Sequence, residues 1–256
     1  MSTTPAVLGN AMPKSGSHLI FQVLQGLTQI GPFVNPGLPP INRNEDNSKL
    51  DEPAIVANVE RMRPGDISYG YIHAREPFLS ALSSKGRATV FVYRDPRDMI
   101  VSHVFYATQI HQGHGMHQYY TETLFSMADR INAAIVGVDE RGADLSSVRT
   151  KYENYLGWLD QPAVLCLRFE ELIINREQAL NKLIDYLENR GFIPSLDRKL
   201  AIASLTRSII PKKSGTFRKA QPGNWREHFT PENKLQFKET IGDLLIRMGY
   251  EVDDQW

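Results

Sequence analysis

Residues 6–19 read AVLGNAMPKSGSHL, and the order of residue types in that stretch decides the fold. Ala6–Leu8 is a short apolar strand, and Pro13–Gly16 makes a turn. From Ser17 to Ile30, Leu19, Ile20, Val23, Leu24, Leu27 and Ile30 follow the i, i+3, i+4 spacing of an amphipathic helix. A strand that runs through small residues into a helix lets backbone N–H groups converge on one point. The positive end of the helix dipole favours an anion there. Lys14 adds a mobile point charge to that turn. The spacing is not that of a Walker A loop: Gly9 to Lys14 is one residue short, and Pro13 stands where the second glycine would be.

The same strand–turn–helix order recurs outward from this stretch. Ala88–Tyr93 (ATVFVY) is an apolar run of strand length, followed by a helix from Pro96, which suits a first helical position, to Ile110. Ala163–Phe169 (AVLCLRF) precedes a helix over Arg176–Arg190. Asp66–Tyr71 reads as a further strand, with a short helix before it and another over Pro77–Ser83. Helical patterns also cover Gln118–Val138, Ser147–Leu159, Leu196–Arg207 and Pro231–Met248. Strands alternating with helices predict a single α/β domain over residues 1–256, with a central, mainly parallel sheet of four or five strands flanked by helices and a P-loop-like anion site. Ligands are then expected at the carboxyl ends of the strands. Two stretches lack any apolar period: the Pro- and Gly-rich Gly31–Pro53, and Ser208–Asn224, which carries Lys212, Lys213, Arg218 and Lys219. A loop as long as the first is usually functional or disordered.

Composition narrows the function classes. The 256 residues carry 29 Lys+Arg and 29 Asp+Glu, a balance that argues against non-specific nucleic-acid binding and leaves room for a local anion site. The single cysteine forbids an intrachain disulfide and suits a reducing, cytoplasmic compartment. No apolar run reaches the roughly 20 residues a membrane span needs. The first residues lack the charged and apolar regions of a secretory signal.

Two further segments carry basic residues suited to an anionic ligand, one at a strand end and one in a loop near the C-terminus. Residues 93–102, YRDPRDMIVS, place Arg94 at the end of a strand and Ser102 about two turns into the next helix; an arginine there forks onto a phosphate. Taken alone, they also read as Arg94, Arg97, Asp95 and Asp98 neutralising one another. Residues 217–225, FRKAQPGNW, put a basic pair before small residues, which closes over an anion or forms a solvated basic loop.

Together, PKSGSHL, YRDPRDMIVS and FRKAQPGNW resemble, in order and spacing, the signature blocks of the cytosolic-type sulfotransferases. These enzymes transfer a sulfuryl group from 3′-phosphoadenosine 5′-phosphosulfate (PAPS) to a hydroxyl or amine. The resemblance implies that Lys14 contacts the transferring sulfuryl group and the bridging oxygen. It implies that the backbone of Ser15, Gly16, Ser17 and His18 holds the 5′-phosphate. Arg94, Ser102, Arg218, Lys219 and the Ala220 backbone are implied to bind the 3′-phosphate. RFEEL resembles the family's F-Y-E-D-L-type strand end and puts Phe169 at its adenine-contacting tyrosine. YIHAREPFL resembles the K-T-H-L-P-type segment and puts His73 at the catalytic base.

The chemistry agrees with these roles. An alcohol needs a base during attack, and in-line transfer needs positioning and positive charge on the leaving phosphate. No metal is implied, since the donor's leaving group is already activated. Departures from the family's blocks are Leu19 for its adenine-stacking Trp, Tyr71 for a common Lys, Ala220 for Gly, Asn224 for Asp, and Phe169 without a hydroxyl.

The expected activity is therefore sulfuryl transfer from PAPS to a hydroxyl, less readily an amine, of a small organic acceptor. The acceptor and the oligomeric state are left open. Two alternatives stand beside it: an ATP-dependent kinase of the P-loop type, and a non-catalytic protein binding adenosine 3′,5′-bisphosphate. His111, His114 and His117 are spaced three apart, but Gly113 and Gly115 break any helix and no Cys or carboxylate completes a metal set. Cys166 reads as a small buried hydrophobe in its strand. Phe105, Tyr106, Tyr119, Tyr120 and Phe125 suit an apolar acceptor pocket or the core, with Phe125 expected in the core. Gly31–Pro53 and the region around His103–Tyr120 are expected to shape the acceptor site.

Overall fold

A computed structural model describes residues 4–215 and 219–256. In chain order its elements are β1 (Ala6–Ala11), α1 (Ser17–Leu27), α2 (Glu52–Arg61), β2 (Ile67–Gly70), α3 (Phe78–Leu82), β3 (Arg87–Tyr93), α4 (Pro96–Phe105), α5 (Met127–Val136), β4 (Val138–Glu140), β5 (Ala143–Leu145), α6 (Val148–Leu156), β6 (Val164–Arg168), α7 (Phe169–Ile174), α8 (Arg176–Glu188), α9 (Arg198–Ser208), α10 (Pro231–Ile241) and α11 (Leu244–Arg247). The chain divides into two compact units: Met1–Tyr93 with Tyr155–Phe217, and Arg94–Asn154 with Arg218–Trp256.

The first unit holds a four-stranded sheet in the order β2-β1-β3-β6, parallel throughout. Every residue of β1 is buried, as a central parallel strand covered on both faces should be. Helix α1 lays Ile20, Val23, Leu24 and Leu27 against β1 and β2. Helix α8 buries Leu180, Leu183, Ile184 and Leu187 and packs on β6. The α/β architecture with a central parallel sheet and flanking helices is the expected one. Strand β1 runs to Ala11, three residues past the apolar run, because its last residues pair with β3 through Ala11↔Val92. Gly31–Pro53 is irregular until α2 begins at Glu52. It is pinned by the bridge Val34↔Asp66 and by Ile41 N–H donating to Tyr69 O at 2.8 Å.

The second unit holds α4, α5, α10, α11 and the antiparallel hairpin β4–β5, with α5 packed on α4 and α10. Here the structure corrects several expectations. The helix expected over Gln118–Val138 is two pieces, a wide turn at Tyr119–Thr123 and α5. Ser126 starts α5 as its N-cap, accepting from Asp129 N–H while Asp129 returns a carboxylate to Ser126 N–H. Phe125, just before that cap, is 88% exposed and not in the core. The helix over Pro231–Met248 breaks at Gly242, whose φ of 57° turns the chain. The α-helix from Pro96 stops at Phe105 and widens into a π-turn over Tyr106–Ile110. The hairpin was not foreseen; its turn carries Gly142 at φ 91°. No helix among the described residues is long and apolar enough to cross a membrane.

Candidate functional site

The loop between β1 and α1 is built around two left-handed residues, Lys14 at φ 66° and Gly16 at φ 105°. Ser15 N–H closes the turn on Met12 O at 3.1 Å, and Ile20 N–H donates to Gly16 O at 2.9 Å as α1 begins. Gly16 is needed twice over. Its φ lies where side chains are strained, and a Cβ there would stand 2.7 Å from Phe169 Cδ2. Phe169, the first residue of α7, is thereby buried against the loop. Helices α2, α4, α5, α9 and α10 have side-chain caps from Asp51, Asp95, Ser126, Asp197 and Thr230. At α1 the cap position is Gly16, no side chain caps the first turn, and no acidic residue lies in it. Ser15 is fully buried, and its Oγ has no hydrogen-bond partner among the described residues. Backbone N–H groups at an uncapped helix start favour negative charge, and the orphaned Ser15 hydroxyl lies beside them. His18 lies in the first turn, its pKa lowered by burial and then by the charge of Lys14.

The segment after β2 meets this loop. Tyr71 donates its hydroxyl to Ser17 Oγ at 3.0 Å. Two residues on, His73 is exposed, with its ring edge-on to Tyr155 at 4.9 Å. Partial shielding from water lowers the His73 pKa below the ordinary histidine value, and the nearby charges of Arg75 and Lys49 lower it further. The imidazole is therefore neutral at pH 7, the form that accepts a proton. The Tyr155 phenol is pushed upward by burial and stays protonated.

In the second unit, Arg94 is buried and its carbonyl accepts from Tyr152 Oη at 2.9 Å. Asp98 accepts from Gly223 N–H at 2.7 Å and Trp225 N–H at 2.8 Å, which ties α4 to the segment after Lys219. Burial raises the Asp98 pKa against the opposing pull of Arg94 and the two N–H groups. Arg97 forks onto Asp95 and reaches Glu251 at 2.5 Å, with Trp225 and Trp256 on its faces at 4.2 and 4.5 Å. The mutual neutralisation weighed from sequence thus holds for Arg97 with Asp95. Ser102 is half-buried on α4, and Lys219 is an exposed partner of Glu227 at 3.3 Å. Ala220 has φ 48°, a left-handed conformation that explains why glycine would suit that position. Arg218 lies outside the described residues.

His103, Tyr106, His111, His114 and Tyr120 form a ring cluster: Tyr106 stacks on His111 at 5.4 Å, and the pairs His103–His114, His103–Tyr120 and Tyr106–His114 meet edge-on at 5.2 to 5.9 Å. Among the described residues no group of three His, Cys, Asp or Glu side chains is placed to hold a metal. Cys166 is half-buried rather than buried. Its thiol donates to Trp158 O at 3.3 Å and burial pushes it up to about 12.

Sequence reading missed the side chains that hold the His73 segment, Asn10, Asn42 and Trp158. The available signal was an asparagine inside the otherwise apolar β1.

The chain matches the sulfotransferase domain family over residues 5–249. It belongs to that family. Among solved structures it is similar to mouse sulfotransferase SULT7A1 complexed with PAP. That match has 16% identity and a TM-score of 0.65, and covers 98% of this chain and 86% of the other. It is also similar to retinol dehydratase in complex with androsterone and inactive cofactor PAP, at 16% identity and TM-score 0.62, covering 94% and 80%. A second structure of retinol dehydratase, with retinol and PAP, matches at 15% identity and TM-score 0.58, covering 95% and 82%. No curated protein matches the chain.

Proposed function

We propose that residues 1–256 act as one sulfotransferase domain that transfers a sulfuryl group from PAPS to a hydroxyl of a small organic acceptor. The Tyr71–Ser17 hydrogen bond carries this reading. It joins the segment bearing the candidate base to the uncapped turn bearing Lys14, at the carboxyl ends of the adjacent parallel strands β1 and β2. In this reading the backbone of Ser15, Gly16, Ser17 and His18 holds the 5′-phosphate, and Ser15 Oγ finds its partner there. Lys14 stabilises charge on the leaving phosphate, and neutral His73 takes the proton of the attacking hydroxyl as the S–O bond forms. Phe169 borders the adenine, and its packing on Gly16 sets the loop's backbone. Assignment of the 3′-phosphate to Arg94, Ser102, Arg218, Lys219 and Ala220 follows the resemblance of their segments to the family's. No metal is needed in this scheme.

Calorimetric titration with adenosine 3′,5′-bisphosphate (PAP), beside ATP and adenosine 5′-phosphate, tests the donor site. Binding that requires the 3′-phosphate is expected. Equal or tighter binding of ATP would overturn the reading in favour of a kinase.

A further inference from the structure

Beyond the end of β2, the chain leading to His73 is held by side chains rather than by a neighbouring strand. Asn10 stands opposite Gly70 in the β1–β2 register, and there the backbone ladder stops. Ile72 N–H donates to Asn10 Oδ1 at 2.8 Å, and Asn10 Nδ2 donates to Ile72 O at 2.9 Å. Trp158 Nε1 donates to that same carbonyl at 2.8 Å. The preceding residue is held in the same manner by a different asparagine. Tyr71 N–H donates to Asn42 Oδ1 at 3.1 Å, and Asn42 Nδ2 donates to Tyr71 O at 3.0 Å.

A primary amide offers an acceptor and donors in the geometry of a peptide group. Each asparagine therefore serves as a substitute strand partner, for two consecutive residues immediately before His73. Asn10 and Trp158 are fully buried, and Asn42 nearly so. An apolar residue at position 10 would suit the interior of β1 as well as its neighbours do. What the asparagine adds is a fixed Ile72 backbone, and with it the place from which the His73 side chain starts.

The geometry points to Asn10 as a positioning residue for His73, acting through the Ile72 backbone, with Trp158 and Asn42 sharing the hold. This rests on the reading of His73 as the base. A residue that only supported the fold would lower stability and donor binding alike. One that aims His73 changes the proton-accepting step and leaves the Lys14 loop alone.

The test uses the full chain. Asn10→Leu removes both bonds at similar size, and Asn10→Asp keeps the acceptor for Ile72 N–H. The His73 ring is followed by NMR through a pH titration, with Arg75, Lys49, Tyr71 and Tyr155 unchanged around it. In Asn10→Leu its midpoint is expected to move up toward the ordinary histidine value as the ring gains water, while PAP affinity stays within about twofold, well short of the tenfold that 1.4 kcal/mol would give. With PAPS and 2-naphthol, a phenol that stays protonated at neutral pH, as probes, kcat is expected to fall roughly 100-fold, the cost of an ångström-scale misplacement. Asn10→Asp should recover part of it.

Asn10→Leu is then combined with His73→Ala. If Asn10 acts through His73, it costs nothing further on that background. An unchanged His73 titration, or an equal loss with and without His73, would overturn the inference. Should His73→Ala leave turnover intact while the titration still moves, the base reading fails and the Asn10–His73 coupling stands. If Asn10→Leu does not fold, Asn10→Asp and Trp158→Phe carry the same titration and the same cycle.

Discussion

Lys14, Gly16 and Ala220 all have positive φ, and the three positions differ in what that costs. Gly16 adopts it freely, and the Phe169 ring occupies the space a Cβ would need. Ala220 carries a steric penalty of roughly 1–2 kcal/mol. Ala220→Gly relieves it while losing roughly 0.5–1 kcal/mol of backbone entropy, so thermal unfolding should shift upward by a few degrees at most. Ala220→Val should shift it down, and a lower midpoint for the glycine variant would show that the position is unstrained. His73 makes a second prediction at this scale. Its pKa is lowered, so the basic, neutral form dominates above a midpoint that lies below about 6.5. Turnover should therefore be flat at neutral pH and fall as pH drops through that midpoint. His73→Ala should remove the acid limb and cost roughly 10²- to 10⁴-fold in kcat, with PAP binding retained. A variant as active as the parent would remove His73 as the base.

At the scale of elements, helix ends decide more than helix interiors. The apolar spacing of Gln118–Val138 suggested one long helix, yet the chain restarts at Ser126 because Ser-x-x-Asp forms a capping box. That signal was present in the sequence and was outweighed by periodicity. Ser126→Ala should destabilise by about 1 kcal/mol, read as a lower denaturant midpoint with an unchanged slope. No change would mean that the box only marks the helix start. In the proposed reading the same logic runs in reverse at α1, where no side chain caps the first turn and its N–H groups are left for the donor's phosphate. In the second unit, Asp98 gives its carboxylate to Gly223 and Trp225 rather than to an arginine fork. One of the two acidic residues of YRDPRD is thus a clamp on the segment after Lys219, while the other pairs with Arg97.

For the whole molecule, ligand binding and folding are linked. PAP present at about 100 times its dissociation constant should stabilise the chain by about 2.7 kcal/mol, raising the melting temperature by roughly 5–10 °C for a protein of this size. Adenosine 5′-phosphate at the same concentration should raise it less. EDTA should leave turnover with PAPS unchanged, and chelator-sensitive turnover would require a metal that the proposed mechanism does not use. The parallel sheet, the flanking helices and the strand–helix turn at PKSGS were legible in the sequence. Apolar strand runs, helical periodicity and the small residues of PKSGS are local properties, each dictated within a dozen residues. Other features depended on residues far apart in the chain. Asn10 reaches Ile72, Asn42 reaches Tyr71, Trp158 reaches Ile72 and Phe169 fills the space beside Gly16. Hydrogen-bond partners and close packing of that kind are chosen by the folded backbone. The strand–turn–helix pattern supplied Lys14 as a candidate and the resemblance to the family's segment supplied His73, while only tertiary structure decided what shapes the loop of the one and what holds the other.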